Sequence, residues 1–204
     1  MKTTNRFSLD TLVIASRNKG KIKEFKELLS NFPINISPQP IGLDIVENGN
    51  TFAENARIKA LKVSTYTGQF SLADDSGLCI ESLLGAPGIF SARYGETDQE
   101  KIERVLNELS SHTNRNAYFM TSLCIASPEG RIFLEVEGKC EGIISTTPRG
   151  SNGFGYDPIF QVNSNGMTFA EMTQEEKKVL SHRGKAFKNL IPSLKEVFGL
   201  EEIK

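Results

Sequence analysis

Thr11-Leu12-Val13-Ile14-Ala15-Ser16-Arg17-Asn18-Lys19-Gly20-Lys21-Ile22 changes its hydrophobic period within one short stretch. Thr11 to Ala15 is an apolar run with β-branched residues and reads as a strand, whereas Ile22, Phe25, Leu28/Leu29 and Phe32 recur at helical spacing. Strand, loop and helix in that order point to an α/β chain. The connecting loop, Ser16 to Lys21, sets a hydroxyl, an amide and several cations beside a helix N-terminus, whose free N–H groups and positive dipole end favour an anion. A phosphate-binding turn is the functional reading, and a solvated basic helix start is the alternative. It is not a Walker A loop: the first glycine is absent, and Ile22 stands where Ser or Thr should follow Gly-Lys.

Working outward, Pro33 to Pro40 should be extended and irregular, followed by an acidic loop, Asp44 to Asn50. Thr51-x-x-Glu54 has the form of a capping box, with Phe52, Ala56, Ala60 and Val63 on one helix face until Gly68 ends it. Asn55 and Lys59, four apart, share another face that is either solvated or aimed into a site. Two strand-like runs, Gln69 to Leu72 and Leu78 to Ile80, then flank Ala73-Asp74-Asp75-Ser76-Gly77. Asp is depleted in strands and a lone carboxylate is costly to bury, so this stretch reads as a turn facing water, a cation or a metal.

Further on, the glycine- and proline-bearing stretch Leu83 to Tyr94 reads as a lid or packing turn, and Asp98 to Ser110 as an amphipathic surface helix behind a second box, Thr97-x-x-Glu100. Ala117 to Ala126 and Arg131 to Glu137 form a hairpin about Pro128-Glu129-Gly130. Gly150 to Pro158 sets three glycines around two aromatics; Phe154 is either a stacking platform or a plug against the core. Thr173-x-x-Glu176 opens a helix carrying Lys177 and Lys178, Ser181-His182-Arg183-Gly184 breaks it, and a final amphipathic helix follows in which Pro192 should cause a kink or restart. Strand and helix signals mix throughout, without repeats, which predicts an α/β fold with a mixed sheet.

Composition narrows the function classes. The 204 residues suffice for one domain with a substantial core, taken here as a single two-lobed domain over residues 1–204 with residues 1–10 as an N-terminal extension. Lys plus Arg number 24 against 25 for Asp plus Glu, and the pI near 6.2 leaves no electrostatic footprint of a nucleic-acid binder. Cys79, Cys124 and Cys140 lie in apolar runs without C-x-x-C spacing, as suits reduced core thiols rather than metal ligands. No secretory h-region opens the chain, and nowhere do about eighteen apolar residues run together. The expectation is a soluble, cytoplasmic protein with no membrane partner.

Taken together, the motifs Ala15-Ser16-Arg17-Asn18-Lys19-Gly20-Lys21, Thr51-Phe52-Ala53-Glu54-Asn55-Ala56, Ala73 to Leu78, Gly85 to Tyr94, Gly153 to Phe160 and Ser181-His182-Arg183-Gly184 carry a resemblance. In this order the chain resembles the inosine triphosphate pyrophosphatases, also called dITP/XTP pyrophosphatases, over nearly all of its length after the first residues. That resemblance implies a two-lobed α/β fold with a long central mixed sheet flanked by helices and a site in the cleft between lobes. It also implies a homodimer and Mg²⁺-dependent hydrolysis of the purine nucleoside triphosphates ITP, dITP and XTP to monophosphate and pyrophosphate, clearing deaminated purines from the nucleotide pool.

Residue by residue, Ser16, Arg17, Asn18, Lys19, Gly20 and Lys21 resemble the family's phosphate loop, with Arg17 where many members have glycine. Lys59 resembles its helix lysine near the phosphates. Glu47 and Asp75 look like its metal carboxylates, with Asp74 a further candidate ligand, Asp75 the proton acceptor and Ser76 a substrate contact. Phe154, Gly155, Tyr156 and Asp157 resemble the base-binding loop, and Lys177, His182 and Arg183 the groups that recognise the base. Two rival functions stand beside this one: a non-hydrolytic nucleotide-binding or sensing protein, and a house-cleaning pyrophosphatase for other modified nucleotides.

Overall fold

The protein is described by a computed structural model covering residues 9–199. Its elements run β1 (Thr11–Ile14), α1 (Lys19–Leu28), β2 (Asn35–Pro38), α2 (Phe52–Thr67), β3 (Phe70–Ile80), α3 (Asp98–Glu108), β4 (Asn116–Ala126), β5 (Ile132–Ile144), β6 (Phe160–Val162), α4 (Gln174–Leu180) and α5 (His182–Phe198), with short 3₁₀ turns at Glu81–Leu83 and Gly88–Arg93. The strands form one six-stranded sheet in the order β2-β1-β3-β4-β5-β6. β1 runs parallel to β2 and β3, whereas β5 and β6 are antiparallel, so the sheet is mixed and the fold is α/β as expected.

The chain divides into two compact units, one of residues up to Asp74 with Ser122–Val136 and the residues from Ala186 on, the other of Asp75–Thr121 and Glu137–Lys185. In the first unit the two-residue period of β1 and β3 feeds two separate cores. Leu12, Ile14, Phe70 and Leu72 pack with Phe25 and Leu28 of α1, with Leu29 that caps it, and with Phe187, Leu190, Leu194 and Phe198 of α5. Val13, Ala15 and Ala73 pack with Ala56, Ala60 and Val63 of α2. Both faces of these strands are therefore covered by helices, the arrangement that lets apolar runs without alternation stay in a parallel sheet. Leu9 is buried in the first of these cores, while residues 1–8 of the expected extension lie outside the described residues. In the second unit Leu78 and Ile80 pack with Ile102 and Val105 of α3, with Leu109 just beyond it, and with Phe119, Tyr156, Phe160 and Phe169.

Helix starts follow the sequence signals. Thr51, Thr97 and Thr173 each accept a hydrogen bond from the backbone N–H three residues on, and Gly68, at φ +63°, caps α2 in the left-handed region that glycine enters without penalty. Only Thr173 and Glu176 close a reciprocal box. Glu54 and Glu100 instead reach one residue further back, to the N–H groups of Asn50 and Glu96. α1 begins at Lys19, earlier than the apolar stripe, because the Asn18 side chain caps it through the Lys21 N–H.

Four expectations need correction. Ala73 to Gly77 is not a turn: β3 runs unbroken from Phe70 to Ile80 through both aspartates. Pairing of Asp74 with a lysine, described below, removes the penalty on which the turn reading rested. Asn35–Pro38, expected to be extended and irregular, is extended but pairs regularly as the edge strand β2, where the missing N–H of Pro38 is tolerated. β5 continues past Glu137 to Ile144, and the three-residue β6 emerges from the glycine-rich stretch, where periodicity is too short to register. α5 runs through Pro192 without the restart that was one of the two expectations there.

All three cysteines are free and buried. Burial pushes the Cys124 thiol up to about 12 and the Cys140 thiol up to about 11. Their neutral form is favoured in the folded state, so stability from these groups is full below an unfolded thiol pKa near 9 and is lost as pH climbs towards 11 to 12. A thiol-disulfide reagent at pH 8 is expected to label none of them in the native protein and all of them in denaturant; fast native labelling would contradict their burial.

Candidate active site

The loop after β1 is shaped by its own side chains. Ser16 N–H bonds to Ile14 O at 2.9 Å, Ser16 Oγ accepts from Asn18 N–H at 3.1 Å, and Asn18 Oδ1 accepts from Lys21 N–H at 3.1 Å. Arg17 is turned aside, donating to Leu43 O at 2.9 Å and pairing with Asp44. Arg17 thus ties the phosphate-loop candidate to the acidic loop, while Asn18 and Lys19 are exposed and Ser16, Gly20 and Lys21 half-buried.

Lys21 reaches from the first turn of α1 to Asp74: its Nζ lies 2.6 Å from Oδ1 of a side chain that is wholly buried. Phe70 and Leu72 share the α1-side core, and the strand period puts Asp74 on their face. Adjacent residues of a strand point to opposite faces, so Asp74 and Asp75 do not present their carboxylates together. Asp74 is the partner of Lys21 in this arrangement rather than a second acid beside Asp75. Removing one member of a buried ion pair typically costs about 3 kcal/mol. Lys21→Ala is therefore expected to lower Tm by roughly 6–12 °C in a thermal melt, and an unchanged Tm would contradict the pairing.

α2 settles what spacing left open. Asn55 and Lys59 are both buried, and both hold the acidic loop. Asn55 Oδ1 accepts from Gly49 N–H at 2.9 Å, and Lys59 Nζ lies 3.1 Å from Glu47 Oε2. A Cβ at Gly49 would sit 2.7 Å from Glu54 Cβ and 2.8 Å from Asn55 Oδ1, so glycine lets the loop lie flat on the helix start. Glu47 keeps a 30 % exposed side chain against 9 % for Lys59, a carboxylate anchored from below with its outer side open to solvent.

In the second unit, Asp75 is buried and Ser76 half-buried at the start of its share of β3. Arg183, buried at the head of α5, donates from Nη2 to Ser76 Oγ at 3.1 Å. Gly77 is where the Gly85 to Tyr94 segment closes on the strand: a Cβ there would run into the carbonyl oxygen of Gly88. Ser91 locks that contact, accepting from Leu78 N–H at 2.9 Å and donating to Gly88 O at 2.6 Å.

The aromatic loop is held from several sides. Asp157 Oδ2 accepts from Phe154 N–H at 2.8 Å and from Lys177 Nζ at 2.6 Å. Gly153, at φ +80°, is required twice over, because a Cβ would also collide with that carboxylate. Lys177 Nζ stands 4.9 Å above the Phe154 ring centroid, a cation–π contact. Tyr156 faces inward and donates its hydroxyl to Ser91 O at 2.9 Å; it anchors the loop rather than presenting to a ligand. His182 is buried with its ring stacked on Phe119, centroids 4.7 Å apart and 11° from parallel.

Within the first unit the structure brings together Ser16 to Lys21 with Asp74, and Glu47 with Lys59. Within the second it joins Ser76 with Arg183, and Phe154 with Asp157 and Lys177. Sequence reasoning left Asn55 undecided and passed over Ser91 and Asp98. Ser91 sits in a stretch that reads as a lid or packing turn without singling out its hydroxyl, and Asp98 looks like any acidic residue in a first helical turn.

A mixed sheet flanked by helices, with polar side chains gathered on β3, at the start of α1 and on glycine-bearing loops, defines an α/β protein. More narrowly, the model described as Ham1 family matches residues 12–193, and the chain belongs to that family. A dITP/XTP pyrophosphatase of Prochlorococcus marinus (strain NATL1A) is 58% identical over 188 residues, 92% of this chain and 95% of that one. The dITP/XTP pyrophosphatase of Nostoc sp. is 50% identical over 183 residues, 90% and 93% of the two chains. Among solved structures, a HAM1 protein from Coxiella burnetii superposes with a TM-score of 0.82 at 44% identity, covering 91% of this chain and 98% of that one.

Proposed function

We propose that this chain is a nucleoside triphosphate pyrophosphatase that hydrolyses deaminated purine triphosphates (dITP, XTP and ITP) to the monophosphate and pyrophosphate. The observation that carries the reading is identity of 50 to 58% over nine-tenths of the chain to proteins named dITP/XTP pyrophosphatase.

Hydrolysis at the α-phosphorus asks for an in-line water, a carboxylate that orients and deprotonates it, and positive charge on the phosphoryl oxygens. Asp75 takes the proton from the water. Lys21 and Lys59 bring cationic charge to the triphosphate, with the Ser16 to Lys21 loop and the start of α1 as its cradle. Mg²⁺ fits the donor chemistry, since Glu47 and Asp75 offer hard carboxylate oxygens, and Mg²⁺ takes one or two of these with waters and phosphate oxygens rather than a closed protein cage. When bound, the ion supplies neutralisation of phosphoryl charge.

Base selection rests on the second unit. Phe154 is a stacking surface, and N–H donors of Arg183 and His182 meet the O6 acceptor of a 6-oxo purine. An adenine amino group there would leave such donors unmatched, which is costly in a buried site. Among the described residues no helix is long and apolar enough to cross a membrane; a cytoplasmic homodimer with no nucleic-acid partner completes the proposal. Turnover measured across dITP, XTP, ITP and ATP tests it: the first three should exceed ATP by orders of magnitude. Equal rates, or binding without turnover, would overturn it.

A further inference from the structure

Asp98 is the first residue of α3, where a carboxylate ordinarily serves its own helix by meeting the exposed N–H groups of the first turn. Here Thr97 already caps the helix, and Asp98 is committed elsewhere. Its Oδ2 accepts from the Gly155 N–H at 2.7 Å, and its Oδ1 pairs with Lys101 Nζ at 3.0 Å. The Lys101 side chain is only 15% exposed, so the pair is packed down against the helix.

Gly155 is the hinge of the aromatic loop, at φ +63° with open space where a Cβ would be. Glycine enters both signs of φ with little preference, so nothing in the residue itself selects one orientation of the Phe154–Gly155 peptide. The hydrogen bonds select it. Phe154 N–H is held by Asp157, within the loop, and Gly155 N–H by Asp98, from outside it. The Phe154 ring therefore hangs between two amides, each pinned by a carboxylate, below the Lys177 ammonium. Burial pushes the Asp98 carboxyl up, but the Gly155 N–H and the Lys101 ammonium together outweigh it and hold the group below its ordinary range, ionised at neutral pH.

We infer that Asp98 is a positioning residue for purine recognition: by holding the Gly155 amide it keeps the Phe154 platform in its binding orientation. The inference rests on the reading of Phe154 as the surface that meets the base. Asp98 touches no reacting atom, so its loss should appear in KM rather than in kcat.

The test uses the full-length protein with dITP. Losing one charge-assisted hydrogen bond that orders a loop is worth about tenfold. Asp98→Ala should accordingly raise KM about tenfold with kcat within about twofold, whereas Asp98→Asn, which keeps an acceptor for Gly155, should recover most of the affinity. Lys101→Ala, which leaves the Gly155 bond in place, reports any general loosening of α3 and should leave KM near wild type. Hydrogen exchange at the Gly155 amide, slow in the wild type, should quicken in Asp98→Ala and not in Lys101→Ala. Phe154→Ala separates the two layers. If it raises KM while Asp98→Ala does not, the role of Asp98 is overturned and the platform stands. If Phe154→Ala leaves KM unchanged, the platform reading falls and the recognition role of Asp98 falls with it. A Gly155 amide still protected in Asp98→Ala would overturn the positioning claim outright.

Discussion

Asp75→Asn is expected to lower kcat for dITP by about 10²- to 10⁴-fold, the usual value of a positioned general base, with KM changed only a few-fold. Asparagine has nearly the same shape as aspartate and retains an oxygen in place, so β3 should pair as before and a thermal melt should be unaltered or slightly raised, burial of a neutral amide being easier than burial of a carboxylate. What disappears is the ability to accept a proton from water. The neighbouring Asp74→Asn separates the roles of the two acids. Asp74 is wholly buried against Lys21 at 2.6 Å, on the strand face opposite to Asp75, so its loss should reduce Tm more than it reduces kcat. Near-normal turnover by Asp75→Asn would remove Asp75 from the role of base, and equal kinetic losses at both positions would merge the two roles.

Arg183→Ala should lower kcat/KM for dITP by more than about 10²-fold and narrow the preference for dITP over ATP. Two losses combine in that figure: donors for the base oxygen, worth 10- to 100-fold or more where a buried site is left unmatched, and the bond from Arg183 Nη2 to Ser76 Oγ. Because Ser76 follows Asp75 directly, the second loss disturbs the strand segment that carries the base. Arg183→Lys should not rescue, since an ammonium cannot reproduce the planar fork of a guanidinium. The ratio of kcat/KM for dITP and ATP, measured in wild type and both variants, checks this. An unchanged ratio would move base recognition away from Arg183, and Ser76→Ala, which removes only the partner hydroxyl, would show how much of the rate loss came through β3.

Much of the fold was legible because local signals were strong and agreed with one another. The change of period between Val13 and Phe25, the threonines ahead of α2, α3 and α4, and Gly68 at the end of α2 all mark elements that stand where they were placed. Misreadings arose where distant residues override local preference. Asp74 and Asp75 are poor strand residues by themselves, and no window around them contains Lys21, whose ammonium makes a buried Asp74 acceptable. Pro38 and Phe160 belong to strands only because a neighbour supplies the pairing, with Ile14 opposite Pro38 and Ile144 opposite Phe160.

The candidate site shows the same division. Ser16 to Lys21, Asp75, Lys59 and the Phe154 loop stood out as clusters of chemistry-bearing residues. Their internal wiring did not, because hydrogen bonds such as Gly49 to Asn55 or Gly155 to Asp98 join backbone amides to side chains that carry no distinctive spacing. The glycines were visible as punctuation, yet their reasons differ. Gly153 needs its left-handed φ as well as clearance from Asp157, whereas Gly77 needs only clearance, from Gly88 and Ser91.

The central claim is that the bond cleaved lies at the α-phosphorus, and the products decide it. Incubating the protein with dITP and Mg²⁺ and identifying what accumulates should give dIMP and pyrophosphate in equal amounts, without orthophosphate. Release of dIDP with orthophosphate would place the attack at the γ-phosphorus and contradict the account.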